Sequence, residues 1–246
     1  MNIDRGTIRT LILAVGVALA GLLAGNGFAR ARAADRYVTV KGVSEREVRA
    51  DLAIWPLHLV GADNDLTAAN AKLTRSIAGV RAFLLKHGID TSQIQMTDFS
   101  ASDAYANQFG VERKVTNRYV VHQTVLVRSN HPDQLLAASQ QIGELAGIGV
   151  VISSGTDEYG GNRGGPTFIF SGLNKLKPEM IADATARARE AATQFARDSR
   201  SDLGGIRQAN QGIFEILPRD QAPGIVESSQ IAKIVRVVAT IDYYLR

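Results

Sequence analysis

The chain has 246 residues, 45% of them hydrophobic and 21% charged, with no cysteine and a formal net charge of +4. The missing cysteines exclude disulfides, thiol catalysis and thiolate metal sites. Setting aside residues 1–33 takes Lys and Arg from 28 to 24 and Asp and Glu from 24 to 23, leaving +1; with no basic block interleaved with aromatics, nucleic-acid binding is set aside.

The first predicted element is an uncharged apolar run from Thr10 to Ala29. It is about 20 residues long and would measure about 30 Å as a helix, enough to cross a bilayer. Small-residue sites at Ala29-Arg-Ala31 and Ala31-Arg-Ala33 also resemble signal-peptidase substrates. An uncleaved anchor, which is preferred, and a cleaved signal peptide both stay open. A buried core helix fits less well, because the run has no polar face. Either favoured reading exports the rest, so the expected organisation is an anchor or signal peptide over 1–33 and an extracytoplasmic domain over 34–246. The expected location is the cell envelope, with the bulk of the chain periplasmic.

Tyr37 to Gly42 and Glu47 to Val60 read as a hairpin joined at Val43-Ser44-Glu45. In its second arm Val48, Ala50, Leu52 and Ile54 form the predicted buried face, opposite Arg49, Asp51, Ala53 and Trp55. Pro56 requires an edge or a bulge there. A helix follows, with caps Asn64 and Asp65, the stripe Leu66, Leu73, Ile77, Val80 and Leu84, and Gly88 as its stop. A second helix is predicted from cap Asn130 through Pro132, Leu135, Ala138, Ile142 and Leu145 to Gly147. A third runs from about Pro178 to Asp202, with an inner face of Ile181, Ala184, Ala188, Ala191 and Phe195 and an outer Asp183–Arg187 pair.

Between and after the helices, strands are predicted at Ile94 to Phe99, Tyr119 to Arg128, Gly149 to Ser153, Thr167 to Ser171, Ile206 to Leu217 and Ile231 to Leu245. In the last, Ile231, Val235, Val237, Ala239, Ile241 and Tyr243 share one face. Each helix is followed by the same punctuation, at His87-Gly88-Ile89, Ala146-Gly147-Ile148 and Gly204-Gly205-Ile206. The predicted order is strand, strand, helix three times, then two strands. The fold class is α+β: repeated strand-strand-helix units, with helices on one face of a mainly antiparallel or mixed sheet.

The segment Tyr37-Val-Thr-Val-Lys-Gly-Val-Ser-Glu-Arg-Glu-Val-Arg-Ala-Asp-Leu-Ala53 resembles the opening of SIMPL-domain proteins, a bacterial envelope group sharing a domain with a mammalian kinase-associated signalling protein. His87-Gly-Ile-Asp-Thr-Ser-Gln-Ile-Gln-Met-Thr97 with Phe99 and Tyr105, the strand at Tyr119 to Val127, and the Ala-rich stretch from Ala182 to Ala192 leading to Leu203-Gly204 follow in that family's order. The chain departs from it in carrying Ala50 rather than proline before Asp51, with Pro56 inside the strand. The resemblance implies an exported protein with self-assembly and stress-related roles. It supplies no catalytic residues.

The residues agree with that silence. His58, His87, His122 and His131 are scattered, with no HExxH or HxH spacing. Asp51 beside Arg49 reads as a solvated pair. No serine or aspartic hydrolase motif occurs, so no enzyme, cofactor or metal is expected. The glycine-rich stretch Gly155 to Gly165 reads as a hairpin loop in which Tyr159 and Arg163 are candidate interaction residues. Trp55 is read as core packing or as an exposed anchor at a subunit contact. The expectation is a non-enzymatic envelope protein working by self-association or by binding other envelope proteins, through an edge near Pro56 or the terminal strand. The alternative is a small-ligand or metal-binding module, with weak hydrolase activity, built near His58, His122 and Asp51.

Overall fold

Strand β1 (Tyr37–Arg49) runs without interruption through Val43-Ser44-Glu45, where the sequence predicts a turn. It ends at Ala50-Asp51, and β2 (Leu52–Asp63) enters a different sheet, so the predicted hairpin does not form. Backbone bonds explain the corner: Ala50 N donates to Ile231 O (2.8 Å) and Asp51 N to Ile169 O (3.0 Å).

The computed structural model describes residues 13–26, 36–106, 116–153 and 164–246. Helix α1 covers 13–26, and α2 (Leu66–Lys86) follows β2. After it come β3 (Ile94–Asp103), β4 (Tyr119–Ser129), α3 (Pro132–Gln140), α4 (Gly143–Gly147), β5 (Ile152–Ser153) and β6 (Thr167–Ile169). The chain closes with α5 (Leu173–Asp198), β7 (Leu203–Gln211), β8 (Glu215–Pro218) and β9 (Ala232–Leu245). The class is α+β, with antiparallel pairing in two sheets. One has the order β1-β9-β7 with β8 also on β9; the other is β3-β4-β2-β5 with β6 also on β2. The terminal strand β9 is therefore flanked on both sides and offers no free edge, against the expectation.

Helix α1 exposes Leu13, Val15, Val17, Leu19, Leu22 and Leu23. Its described length is about 21 Å at 1.5 Å per residue. Among the described residues no helix is long and apolar enough to cross a membrane. Residues 10–12 and 27–29 of the apolar run lie outside the described residues.

The chain divides into two compact units, Met1–Ser44 with Pro178–Phe214 and Val237–Arg246, and Glu45–Lys177 with Glu215–Arg236. In the first, α5 buries a stripe of Met180, Ala184, Ala188, Ala192 and Ala196, and Ala184 and Ala188 lie against Gly42 of β1. This corrects the predicted inner face: Phe195 is 58% exposed and Ile181 and Ala191 are half-buried. The helix also starts before Pro178, at Leu173, and stops at Asp198. Ser44 Oγ donates to Asp183 Oδ2 (2.7 Å), and Arg187 pairs with the same carboxylate (3.2 Å).

In the second unit the buried face of β2 is Ala53, Trp55, Leu57 and Leu59, the opposite parity from the prediction. Alternation is strict, so the interruption between the strands at Ala50-Asp51 reverses which residues face the core. Leu57 and Leu59, fully buried there, each contribute about 1.5–3 kcal/mol. Against this face α2 packs Leu73, Val80 and Leu84, and β4 adds Val121, Val125 and Val127. Asp65 Oδ1 accepts from Ala68 N (2.8 Å), capping α2, whereas Leu66 is 46% exposed. The predicted single second helix is two. His131, not Asn130, occupies the cap position of α3, and three-residue bonds at Gln141, Ile142 and Glu144 break it from α4.

The helix ends share one chemistry at shifted positions. Ile89 N donates to Leu84 O, Val150 N to Leu145 O and Ser201 N to Ala196 O, each a six-to-one bond closing the last turn. The left-handed residues are Gly88 (φ +77°), Gly149 (φ +80°) and Arg200 (φ +51°). Only the first matches its predicted glycine; Ile148 is exposed where Val150 is buried, and Gly204 and Gly205 lie within β7.

Candidate functional site

Pro56 pairs with Leu126 of β4, and on its other side it falls between the contacts of β6 at Leu52–Ile54 and of β5 at His58–Leu59. The two short strands thus lie end to end along β2. They do not form the predicted hairpin with each other, and among the described residues β2 is locally open at the proline, as its missing N–H requires. Tyr159 and Arg163, on the loop between β5 and β6, lie outside the described residues. Trp55 has no exposed surface, and its Nε1 donates to Gly164 O (3.0 Å) at the end of that loop. It is a core residue that holds Gly164, and the anchor reading is corrected.

The register places His58 opposite Thr124 and His122 opposite Val60, so both histidines share one face of the sheet. His58 Nδ1 is hydrogen-bonded with Thr124 Oγ1 (3.0 Å). Asp51 does not join them: it accepts from Ser171 Oγ (2.7 Å) and Ser171 N (2.9 Å) at the β1–β2 corner. Burial, the largest single influence, pushes its carboxyl up, but those two bonds, with its own backbone amide and the charge of Lys175, together hold it below the ordinary aspartate value. Arg49 turns instead to Asp133 (2.7 Å). Among the described residues no group of three or more His, Cys, Asp or Glu side chains could hold a metal ion.

A cleft of about 470 Å³ opens further along β2. The predicted strand Gly149 to Ser153 pairs only at Ile152 and Ser153, with Leu59 and His58. Continued in register, Val151, Val150 and Gly149 would oppose Val60, Gly61 and Ala62. They do not, because Gly149 N and Val150 N donate to Ala146 O and Leu145 O of α4, each at 3.0 Å. Capping the short helix draws this segment away from β2 and forks the sheet.

Helix α2 roofs the fork. Gly61 makes the close approach possible, since a Cβ there would meet the carbonyl of Ala69 and stand 3.0 Å from Leu73 Cβ. Lys72, Arg75 and Ser76, spaced three and four residues apart on one helical face, line the cleft. Lys72 Nζ is committed, donating to Ala62 O (3.0 Å) and pairing with Asp63 Oδ2 (2.7 Å). That Lys72 bond is the main reason the Asp63 carboxyl lies below its ordinary value. Ser76 is only 9% exposed. The sequence reading passed over all three residues, because two cations and a serine on a helix read as a solvated face.

The opposite edge of the same sheet is β3, whose only strand partner among the described residues is β4. Its register breaks between Thr97 and Ser100, and Asp98 there has φ +55°. The break presents Phe99, 61% exposed. At the far end Arg118 holds Asp103 Oδ2 through Nε (3.1 Å) and Nη2 (3.0 Å) and lies over the ring of Tyr119 at 4.9 Å.

A family model described as "SIMPL: Protein of unknown function (DUF541)" matches residues 38–239. No curated protein matches the chain.

Proposed function

Because the chain belongs to the SIMPL family, which is described as being of unknown function, we propose that it is a non-enzymatic envelope protein acting by association with itself or with other envelope proteins. The observation that carries this reading is the outer edge of β3 with Phe99 on it. An unpaired strand edge is a template for another chain, and an exposed aromatic beside it is a contact anchor. The irregularity at Asp98-Phe99 divides the edge into short stretches, which favours one defined partner over open-ended strand addition. The apolar side chains along α1 support placing the N-terminal segment in a membrane, as an anchor or a signal peptide, with the remainder outside the cytoplasm. No nucleic-acid partner enters this reading.

Light scattering of the full chain at rising concentration tests it. The expected result is a multimer, or a complex with a reproducible envelope partner, that Phe99→Asp disrupts. A full chain that stays monomeric and partnerless, or an assembly indifferent to Phe99→Asp, overturns it.

A further inference from the structure

The fork between β2 and the 148–151 segment carries groups that the fold itself leaves unused. Arg75 makes no hydrogen bond or ion pair with any described residue, unlike Lys72 one turn away. Ser76 is more than nine-tenths buried and lines the cleft, and its hydroxyl has no hydrogen-bond partner among the described residues. A guanidinium and a hydroxyl, both able to donate, line the same cleft as the committed lysine. A carboxylate accepts from both.

The rest of the cleft states what the carboxylate is attached to. On the side away from β4, Val60–Ala62 has no described strand partner, although β5 pairs with the two residues just before it. The chain that would have completed the ladder has turned its amides to α4. An extended backbone laid along β2 would restore that pairing, as in strand addition to a sheet edge. The facing wall is apolar, with Ile148 and Val151 each 64% exposed beside Val150. The volume of about 470 Å³ lies in the range of sites that enclose small ligands, about 300–1,000 Å³.

We propose that this cleft binds the free C-terminus of an extended apolar peptide, its carboxylate held by Arg75 and Ser76 and its backbone paired along Val60–Ala62. An alkyl carboxylate would satisfy Arg75 and the apolar wall but would leave the strand edge unpaired, so the peptide is the occupant that uses all three walls. The site lies on the β2 side of the sheet and is separate from the β3 edge: binding that persists in Phe99→Asp, or assembly that persists in Arg75→Gln, tells the two readings apart.

The test is fluorescence anisotropy of the full chain with dansyl-Ala-Val-Val-Val as the free acid, its C-terminal amide as a second probe, and decanoate as competitor. The acid is expected to bind about tenfold or more tightly than the amide, the difference a charge-assisted bond supplies. Arg75→Gln should erase that difference, Ser76→Ala should weaken the acid alone, and decanoate should compete poorly. Because Arg75 is exposed and unpaired, its variant should keep the wild-type circular dichroism and melting temperature. No binding by either peptide, equal binding of acid and amide, indifference to Arg75→Gln, or displacement by decanoate as effective as by unlabelled acid overturns the proposal.

Discussion

Gly42 of β1 lies directly against the backbone of Ala184 in α5: a Cβ on Gly42 would overlap the Ala184 carbonyl and stand 2.6 Å from the amide nitrogen of Ala188. The small residues of the α5 stripe matter for the same reason, since they bring helix and strand into backbone contact. Gly42→Ala has no flexible neighbour to displace and should cost about 3 kcal/mol, the upper range for overpacking. For a chain of this size that corresponds to a fall in Tm of about 10 °C. A melt of the variant within 2–3 °C of wild type, roughly 1 kcal/mol, would contradict this packing.

Arg200 takes the left-handed position that ends α5, a place a glycine holds after α2 and after α4. The conformation costs an L-residue about 1–2 kcal/mol, and part of that gain is lost to the greater unfolded-state freedom of glycine. Arg200→Gly is therefore expected to stabilise the chain by about 0.5–1 kcal/mol. Urea unfolding with an unchanged slope and a higher midpoint would show it; a lower midpoint would mean that the Arg200 side chain matters more than its backbone.

How far the sequence spoke depends on how local each signal was. The α+β class and the Asp65 start of α2 follow from periodicity and caps and are legible. The predicted second helix is α3 and α4 and the predicted strand Ile206 to Leu217 is β7 and β8; up to those two divisions the order of strands and helices is legible. The parity of β2 is not, because a corner at Asp51 shifts every later residue to the other face, and the corner depends on Ile169, Ile231 and Ser171, all distant in sequence. The inner face of α5 was off because alanines occur at both 184-188 and 191, and packing selects among them. Lys233 shows the limit most plainly. Ile231 and Val235, two residues to either side, share the apolar face of the predicted strand, and the lysine between them is buried with them, since its partner Glu227 sits in a short helical turn that no alternation announces. The cleft was illegible for a related reason: Gly149 to Ser153 has strand composition, and only the claim of α4 on two amides stops it from being one.

The Asp51 carboxyl predicts an acid limb. It is held below the ordinary aspartate value by Ser171, so the folded state keeps it ionised more readily than the unfolded chain does. Its contribution is therefore complete above the unfolded value, about 3.9, and is lost as the pH falls through the lower folded value. Between about pH 6 and about pH 2 the Tm of wild type should drop more steeply than that of Asp51→Asn. Ser171→Ala should flatten the limb in the same way. Parallel curves for wild type and both variants would assign the acid limb to other carboxylates.

Lys233 and Glu227 supply the sharpest energetic contrast. Lys233 has no exposed surface and faces the interior beside Val235, where its Nζ donates to the Glu227 backbone carbonyl (2.6 Å) and to the Glu227 carboxylate. Removing only the carboxylate, in Glu227→Ala, strands an ammonium that cannot reach water. The cost of breaking a buried pair is about 3–5 kcal/mol, and Glu227 is a third exposed, so about 3 kcal/mol is expected. Replacing the lysine by methionine removes the charge and its desolvation together while keeping the length of the side chain. Lys233→Met should therefore cost far less, within about 1 kcal/mol of wild type. Adding Glu227→Ala to Lys233→Met should then cost little more, and a double-mutant cycle in denaturant reads that coupling. If the two single variants proved equally destabilising and their effects simply added, the lysine would owe its place to packing and not to the carboxylate that meets it.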